Sequence, residues 1–290
     1  MPSWASSTRT KYRKTDMDWL QAIVLGLVQG LTEFLPVSSS GHLAIFRALL
    51  GTEPSEDLVF EVAVHAATAL ATIVVFRKEI ARLLRGLFRF SYNDETDYVA
   101  KLCVSMIPVF IVGVFFKDAV EAAFGSLYVV GAALLITAAL LAFSDWKSSG
   151  TANGALGPAG NGSPARNGIS FGQAFATGIG QALAVIPGLS RSGTTISTGL
   201  ICGVKRESMA QFSFLMVLVP ILGESFLDIV GGDLGASSVD IAPLLLGFVS
   251  AFLSGLFACK AMVALVRRAK LKWFGLYCAI AGLAVLLFLA

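Results

Sequence analysis

Glu33 stands in an otherwise apolar stretch, three residues ahead of Pro36. The hydroxyl run Ser38-Ser39-Ser40 follows, then Gly41 and His42. An ionisable residue at membrane depth is costly and marks function by default. Gln29 lies one helical turn before Glu33, so both side chains project from one face. Its amide can hold a water, a metal-bound water or a phosphate oxygen, but cannot act as a base. Ser39 precedes His42 by three residues, which brings hydroxyl and imidazole within hydrogen-bond reach. A serine needs such a base to become a nucleophile, and histidine exchanges protons near neutral pH. The loop Ser38 to Gly41 can turn backbone N–H groups inward at a helix start, an arrangement that binds anions.

Far along the chain a second loop reads Pro187-Gly188-Leu189-Ser190-Arg191-Ser192-Gly193-Thr194-Thr195. The Arg191 guanidinium stays charged, and its fork matches phosphate geometry. It serves a buried anion or an ion pair with Glu33, and the two are compatible before substrate arrives. Glu61 and His65 share a face of the next apolar stretch, where they line a cavity or tie helices together. Carboxylate, hydroxyl, imidazole and guanidinium together supply what phosphoryl transfer needs: oxygen stabilisation, a nucleophile and a proton carrier. A metal held by Glu33 and phosphate oxygens also fits, since Mg²⁺ uses one or two carboxylates plus substrate oxygens. No spacing suggests a zinc site.

The two loops are copies. Shifted by 152 residues, Gln21, Ala22, Gly26, Gln29, Leu31, Ser38, Ser40 and Gly41 fall on identical residues. Chance would give about one or two matches in such a window. Each copy is an apolar approach, a proline break, then hydroxyls and glycine. Backbone that leaves a helix inside a membrane is tolerated only where protein or a wet cavity satisfies it. Two such breaks in corresponding halves point to a polar site where the halves meet.

The elements that position these loops follow from composition. The chain is 56% hydrophobic and 14% charged, with a mean hydropathy of +0.76, against about 25% charged residues in soluble domains. The fold class is an all-α polytopic membrane protein. A net charge of +3 gives no support to nucleic-acid binding. The four cysteines lack metal-ligand spacing and read as packing residues. Residues 1–16 form a polar N-terminal extension and are set aside. The first repeat covers 17–147: a re-entrant hairpin, broken at Pro36 with its second arm from His42 to Leu50, then spans at 58–76, 99–116 and 127–145. Residues 148–168 are a flexible Gly-rich loop. The second repeat covers 169–290, with a hairpin at 170–203 and spans near 208–229, 241–264 and 272–289.

Three spans per half invert the second half relative to the first. The basic loops, Arg77, Lys78, Arg82, Arg85 and Arg89, then Arg267, Arg268, Lys270 and Lys272, read as cytoplasmic. The segments with Glu53, Glu56 and Asp57, and with Asp228, Asp233 and Asp240, read as external, which places both termini outside.

These residues resemble the undecaprenyl-diphosphate phosphatase family, the bacitracin-resistance membrane phosphatases of bacteria. The first family motif, [E/Q]-G-x-T-E-F-x-P-V-S-S-[ST]-G-H, is matched throughout by Gln29 to His42. The second, P-G-x-S-R-S-G-x-T, is matched by Pro187 to Thr195, and Phe212-Ser213-Phe214-Leu215 with Pro220 also looks like the family. The resemblance covers about 17–290 without the Gly-rich loop. It implies removal of the terminal phosphate from a long-chain isoprenyl diphosphate at the external side of the bacterial plasma membrane, with a divalent cation, Mg²⁺ or Ca²⁺, and a homodimer of inverted repeats. Family roles carry to Ser39, His42, Glu33 and Arg191 as catalytic residues, with Glu33 also the metal ligand. Gln29, Ser38, Ser40, Gly41, Ser190, Ser192, Gly193, Thr194 and Thr195 are the phosphate-binding candidates around them. Many members carry glutamate where this chain has Gln29, so a carboxylate pair on the metal is not expected here. A transporter or flippase of lipid carriers is the competing class, because inverted repeats with broken helices are also a transporter architecture. Whether Ser39 attacks or His42 activates water stays open at this level; direct attack by Ser39 is the expectation.

Overall fold

The computed structural model describes residues 17–52, 58–116, 120, 122–123, 126–150, 166–231, 240–266 and 270–290. The extension at 1–16, the acids Glu53, Glu56 and Asp57, most of the Gly-rich loop, Asp233 and the pair Arg267-Arg268 lie outside the described residues. Among the described residues the chain forms ten α-helices and no strand: α1 Trp19–Phe34, α2 Ser39–Leu50, α3 Leu58–Leu87, α4 Asp94–Phe115, α5 Leu127–Gly150, α6 Phe171–Leu183, α7 Arg191–Ile201, α8 Arg206–Gly231, α9 Ile241–Val266 and α10 Lys272–Phe288. The chain is a polytopic membrane protein. Val59–Leu87, Asp94–Phe115, Leu127–Ser148 and Ile241–Leu265 are long and apolar enough to cross a bilayer. Leu27, Leu31, Phe110, Phe115, Phe257 and Leu287 point outward from the bundle, an apolar exterior suited to lipid rather than water.

Proline decides where the first hairpin breaks. Leu35, directly before Pro36, is extended at ψ 146, because the proline ring excludes the helical region for its predecessor. At 16 and 12 residues, α1 and α2 reach only about 24 and 18 Å at 1.5 Å per residue. Each is short of the roughly 30 Å hydrocarbon core. The second arm starts at Ser39, three residues earlier than the expected His42. Ser38 is the reason: it caps α2 by accepting the Gly41 N–H, at the cost of a left-handed φ of 73°.

The internal repeat extends to individual hydrogen bonds. Gln21 closes a capping box at the start of α1, and its Nε2 donates to the Leu50 carbonyl at 3.2 Å. Gln173, 152 residues on, does the same at the start of α6 and donates to the Cys202 carbonyl, also 152 beyond Leu50, at 2.9 Å. Each hairpin thereby clamps the far end of its own second arm. The first arms then pack across the halves, α1 on α9 and α6 on α4. Glycine permits both approaches. A Cβ at Gly26 would lie 2.3 Å from the Gly247 carbonyl oxygen, and one at Gly178 would lie 2.3 Å from that of Ser105. Small residues at such crossings let helix backbones meet closely in a membrane.

Among the described residues, two charge pairs involve side chains buried in the spans. Lys101 Nζ meets Asp97 at 2.5 Å, and Asn167 joins Asp97 at 3.0 Å. Arg206 on α8 meets Asp145 at 2.5 Å and Ser148 at 2.7 Å, both on α5. The attraction within each pair offsets the cost of taking its charges out of water; the first pair lies within α4, with Asn167 joining it from just ahead of α6, and the second ties the start of α8 to the end of α5.

Candidate active site

The two loops meet. Ser192 Oγ donates to the Leu35 carbonyl at 3.0 Å, and the Gly188 amide donates to Ser40 Oγ at 3.4 Å. The Gly41 Cα lies so close to Gly188 that an added Cβ would sit 3.1 Å from the Gly188 Cα. Gly188 itself has φ +88, and a Cβ there would meet the Val130 carbonyl oxygen at 2.6 Å. Only glycine serves where the backbone must be left-handed and close to α5.

Glu33 is the hub, with its side chain 4% exposed. Its Oε2 accepts the Gln29 amide at 2.9 Å and the Ser39 hydroxyl at 2.5 Å. Its Oε1 lies 3.8 Å from Arg191 Nη2. That distance is an ion pair without a hydrogen bond, and the Arg191 side chain keeps 22% exposure. The guanidinium therefore retains donors for an incoming anion. Arg191 opens α7 under the Ser190 cap, and the Ser190 amide is held by Thr137 of α5 at 3.1 Å. A small cavity beside Glu33 is walled by Ser192, Thr72 and the apolar Phe34, Phe214, Val217 and Leu218.

The expected hydrogen bond between Ser39 and His42 is not formed. The His42 ring folds back onto its own loop, Nδ1 at 2.7 Å from the Ser38 carbonyl, and Nε2 reaches the Tyr277 hydroxyl at 2.7 Å. Ser39, freed from the imidazole, turns to Glu33. The expected nest also changes. The Gly41 and Gly193 amides are used by the caps Ser38 and Ser190 at 3.2 and 3.1 Å, so the amides of Ser39, Ser40, Arg191 and Ser192 are the ones outside the capping bonds. Thr195 bonds the Arg191 carbonyl at 2.8 Å and Ser213 at 2.6 Å and braces α7 against α8. Thr194 Oγ1 is buried without a hydrogen-bond partner among the described residues.

A family model described as Bacitracin resistance protein BacA matches residues 22–284. The chain belongs to this family. It is 52% identical over 275 residues to an undecaprenyl-diphosphatase of Bacteroides thetaiotaomicron, across 93% of this chain and 99% of that protein. An undecaprenyl-diphosphatase of Parabacteroides distasonis is 52% identical over 274 residues, 93% of this chain and 98% of that protein. One of Christiangramia forsetii is 46% identical over 275 residues, 94% and 98% respectively. Both broken loops of this BacA-family chain fall inside the matched region.

The donor set fits a hard divalent cation completed by substrate. Among the described residues no group of three or more His, Cys, Asp or Glu side chains comes together to hold a metal. The acceptors at the hub are the Glu33 carboxylate and Gln29 Oε1, which is buried with no hydrogen-bond donor among the described residues. Mg²⁺ and Ca²⁺ take carboxylate and amide oxygens, and Mg²⁺ sites commonly leave the remaining positions to water and phosphate. An orphaned amide oxygen beside a buried carboxylate is consistent with that chemistry.

Sequence reasoning missed Tyr277, the partner of His42, and Thr137, the partner of the second loop. Both come from apolar spans, and tyrosine and threonine are ordinary there. It also passed over Arg47. The available signal was a single cation inside the apolar run Leu43 to Leu50.

Proposed function

We propose that this chain hydrolyses undecaprenyl diphosphate to the monophosphate and inorganic phosphate, returning the lipid carrier to cell-wall synthesis. The observation that carries the reading is the Ser39–Glu33–Arg191 constellation where the two loops meet. A serine hydroxyl donating at 2.5 Å to a buried carboxylate, with a guanidinium on the carboxylate's other oxygen, has the parts of a nucleophile, its base and an oxyanion clamp.

In the proposed course, Ser39 Oγ attacks the terminal phosphorus and its proton passes to Glu33 Oε2. The bond from phosphorus to the bridging oxygen breaks, and the lipid monophosphate leaves with that electron pair. Arg191, with the first-turn amides of α2 and α7, stabilises charge on the transferring group. Water then opens the phosphoserine, with His42 as proton carrier and positioning group of the loop. A divalent cation held by Glu33 and Gln29, when bound, would neutralise phosphate charge; Ser38, Ser40, Ser190, Ser192, Gly193, Thr194 and Thr195 shape the cradle. The apolar wall of Phe214, Val217 and Leu218 suits the first isoprenyl units.

The proposal includes a place and an assembly: the bacterial plasma membrane, inverted halves, a site open to the external side and a homodimer. Loop charge supports the orientation. In a cysteine-free background, a cysteine at Glu53 should react with an impermeant thiol reagent on intact cells, and one at Lys270 should not. The opposite labelling pattern would overturn the orientation. Light scattering of the purified protein reads the dimer.

Transport of the lipid carrier is the second reading, favoured by the repeated hydrogen bonds of the two hairpins. Chemistry separates the two. Purified protein in detergent, with no gradient across it, should release phosphate from undecaprenyl diphosphate when Mg²⁺ or Ca²⁺ is supplied. Absence of release in detergent alongside lipid movement in vesicles would replace hydrolysis with transport.

A further inference from the structure

Arg47 lies on α2, two helical turns beyond Ser39, and only 10% of its side chain is exposed. Its Nη1 donates to Glu61 of α3 at 3.0 Å. Its Nε and Nη2 are buried and have no acceptor among the described residues. These two nitrogens form one edge of the guanidinium, the side-on pair that grips two oxygens of a single oxyanion. Leaving charged donors buried and unmet is expensive, so the vacant edge itself points to a ligand. Side chains on a helix lean toward its N-terminus, which here is the Ser38–His42 loop. One turn along α3 from Glu61, the His65 Nδ1 bonds the Glu61 carbonyl at 2.8 Å. Arg47, Glu61 and His65 thus form a polar row from the second arm of the hairpin along the first turns of α3.

We infer that the Nε–Nη2 edge of Arg47 is a second phosphoryl-oxyanion site, distinct from Arg191. Its occupant is the inner phosphoryl group of a bound diphosphate or a separate phosphate ion. The choice of phosphate among oxyanions rests on the phosphatase reading. Glu61 opposes any anion there while holding Nη1, so it tunes affinity downward and keeps the guanidinium in place.

Calorimetric titration of the full chain in a phosphate-free detergent, in a Ser39→Ala background that prevents turnover, tests the site. The probes are inorganic phosphate and inorganic pyrophosphate. Arg47→Lys keeps the charge and loses the side-on pair. If the edge holds the inner phosphoryl group, Arg47→Lys weakens pyrophosphate about tenfold and leaves phosphate unchanged. If it holds a separate ion, Arg47→Lys removes one of two phosphate equivalents and leaves pyrophosphate unchanged. In either case Glu61→Gln strengthens the affected ligand. A purely structural ion pair would lower the melting temperature in both variants with both affinities unmoved, and that result overturns the site. Binding is read without hydrolysis, so a wild-type chain that releases no phosphate from lipid would defeat the phosphatase reading while leaving this titration to stand or fall alone.

Discussion

Arg191→Lys should lose about 10²–10³ in kcat, the range for removing a preorganised donor from a developing oxyanion, while the protein still folds. Lysine keeps the positive charge beside Glu33 but presents a point charge where Arg191 presents a fork. The ion pair at 3.8 Å needs only charge, so the hub survives the substitution. Turnover needs directed donors to the equatorial oxygens, and these are lost. Steady-state kinetics on the purified variant, with its melting temperature as control, give the answer. A variant within about threefold of wild type would show that charge alone suffices, and the clamp would be withdrawn.

Glu33→Gln should lose about 10²–10⁴ in kcat, the usual contribution of a positioned base, and should abolish any stimulation by Mg²⁺ or Ca²⁺. The amide keeps the shape and still accepts from Ser39, so the hydroxyl stays in place. What disappears is the negative charge that balances Arg191 and, in the proposed course, takes the serine proton and holds a cation. Gln29→Glu gives the opposite case. It adds a second carboxylate next to Glu33 and should be tolerated with tighter metal binding. Metal titrations of turnover for both variants separate these effects. Normal metal-dependent turnover in Glu33→Gln would remove Glu33 from both roles.

The sequence made the repeat legible because it is written in residues with backbone consequences. Gln21, Gly26, Gln29, Ser38 and Gly41 recur at the same spacing because each performs a local task twice: a capping box, a close helix crossing, a buried amide, a cap and its amide donor. The proline breaks were legible for the same reason. The identity of Ser39's partner was not. Spacing of three residues places Ser39 and His42 near each other, but the left-handed Ser38 turns its carbonyl onto the imidazole. Tyr277, 235 residues from His42 in sequence, takes the other ring nitrogen. A backbone torsion and a tertiary contact decided that hydrogen bond, and neither is written in local spacing. Arg47 was overlooked because one cation in a short helix reads as an interface residue until its burial is known.

The stereochemical course at phosphorus tests the account most directly. A substrate made chiral at the terminal phosphorus with oxygen isotopes and sulfur, turned over by the intact enzyme, reports how many in-line displacements occur. Attack by Ser39 followed by water makes two, and the account predicts net retention, with a phosphoseryl residue trapped on rapid quenching. Net inversion would mean a single displacement by water, and Ser39 would then be a ligand of the phosphate and not its nucleophile.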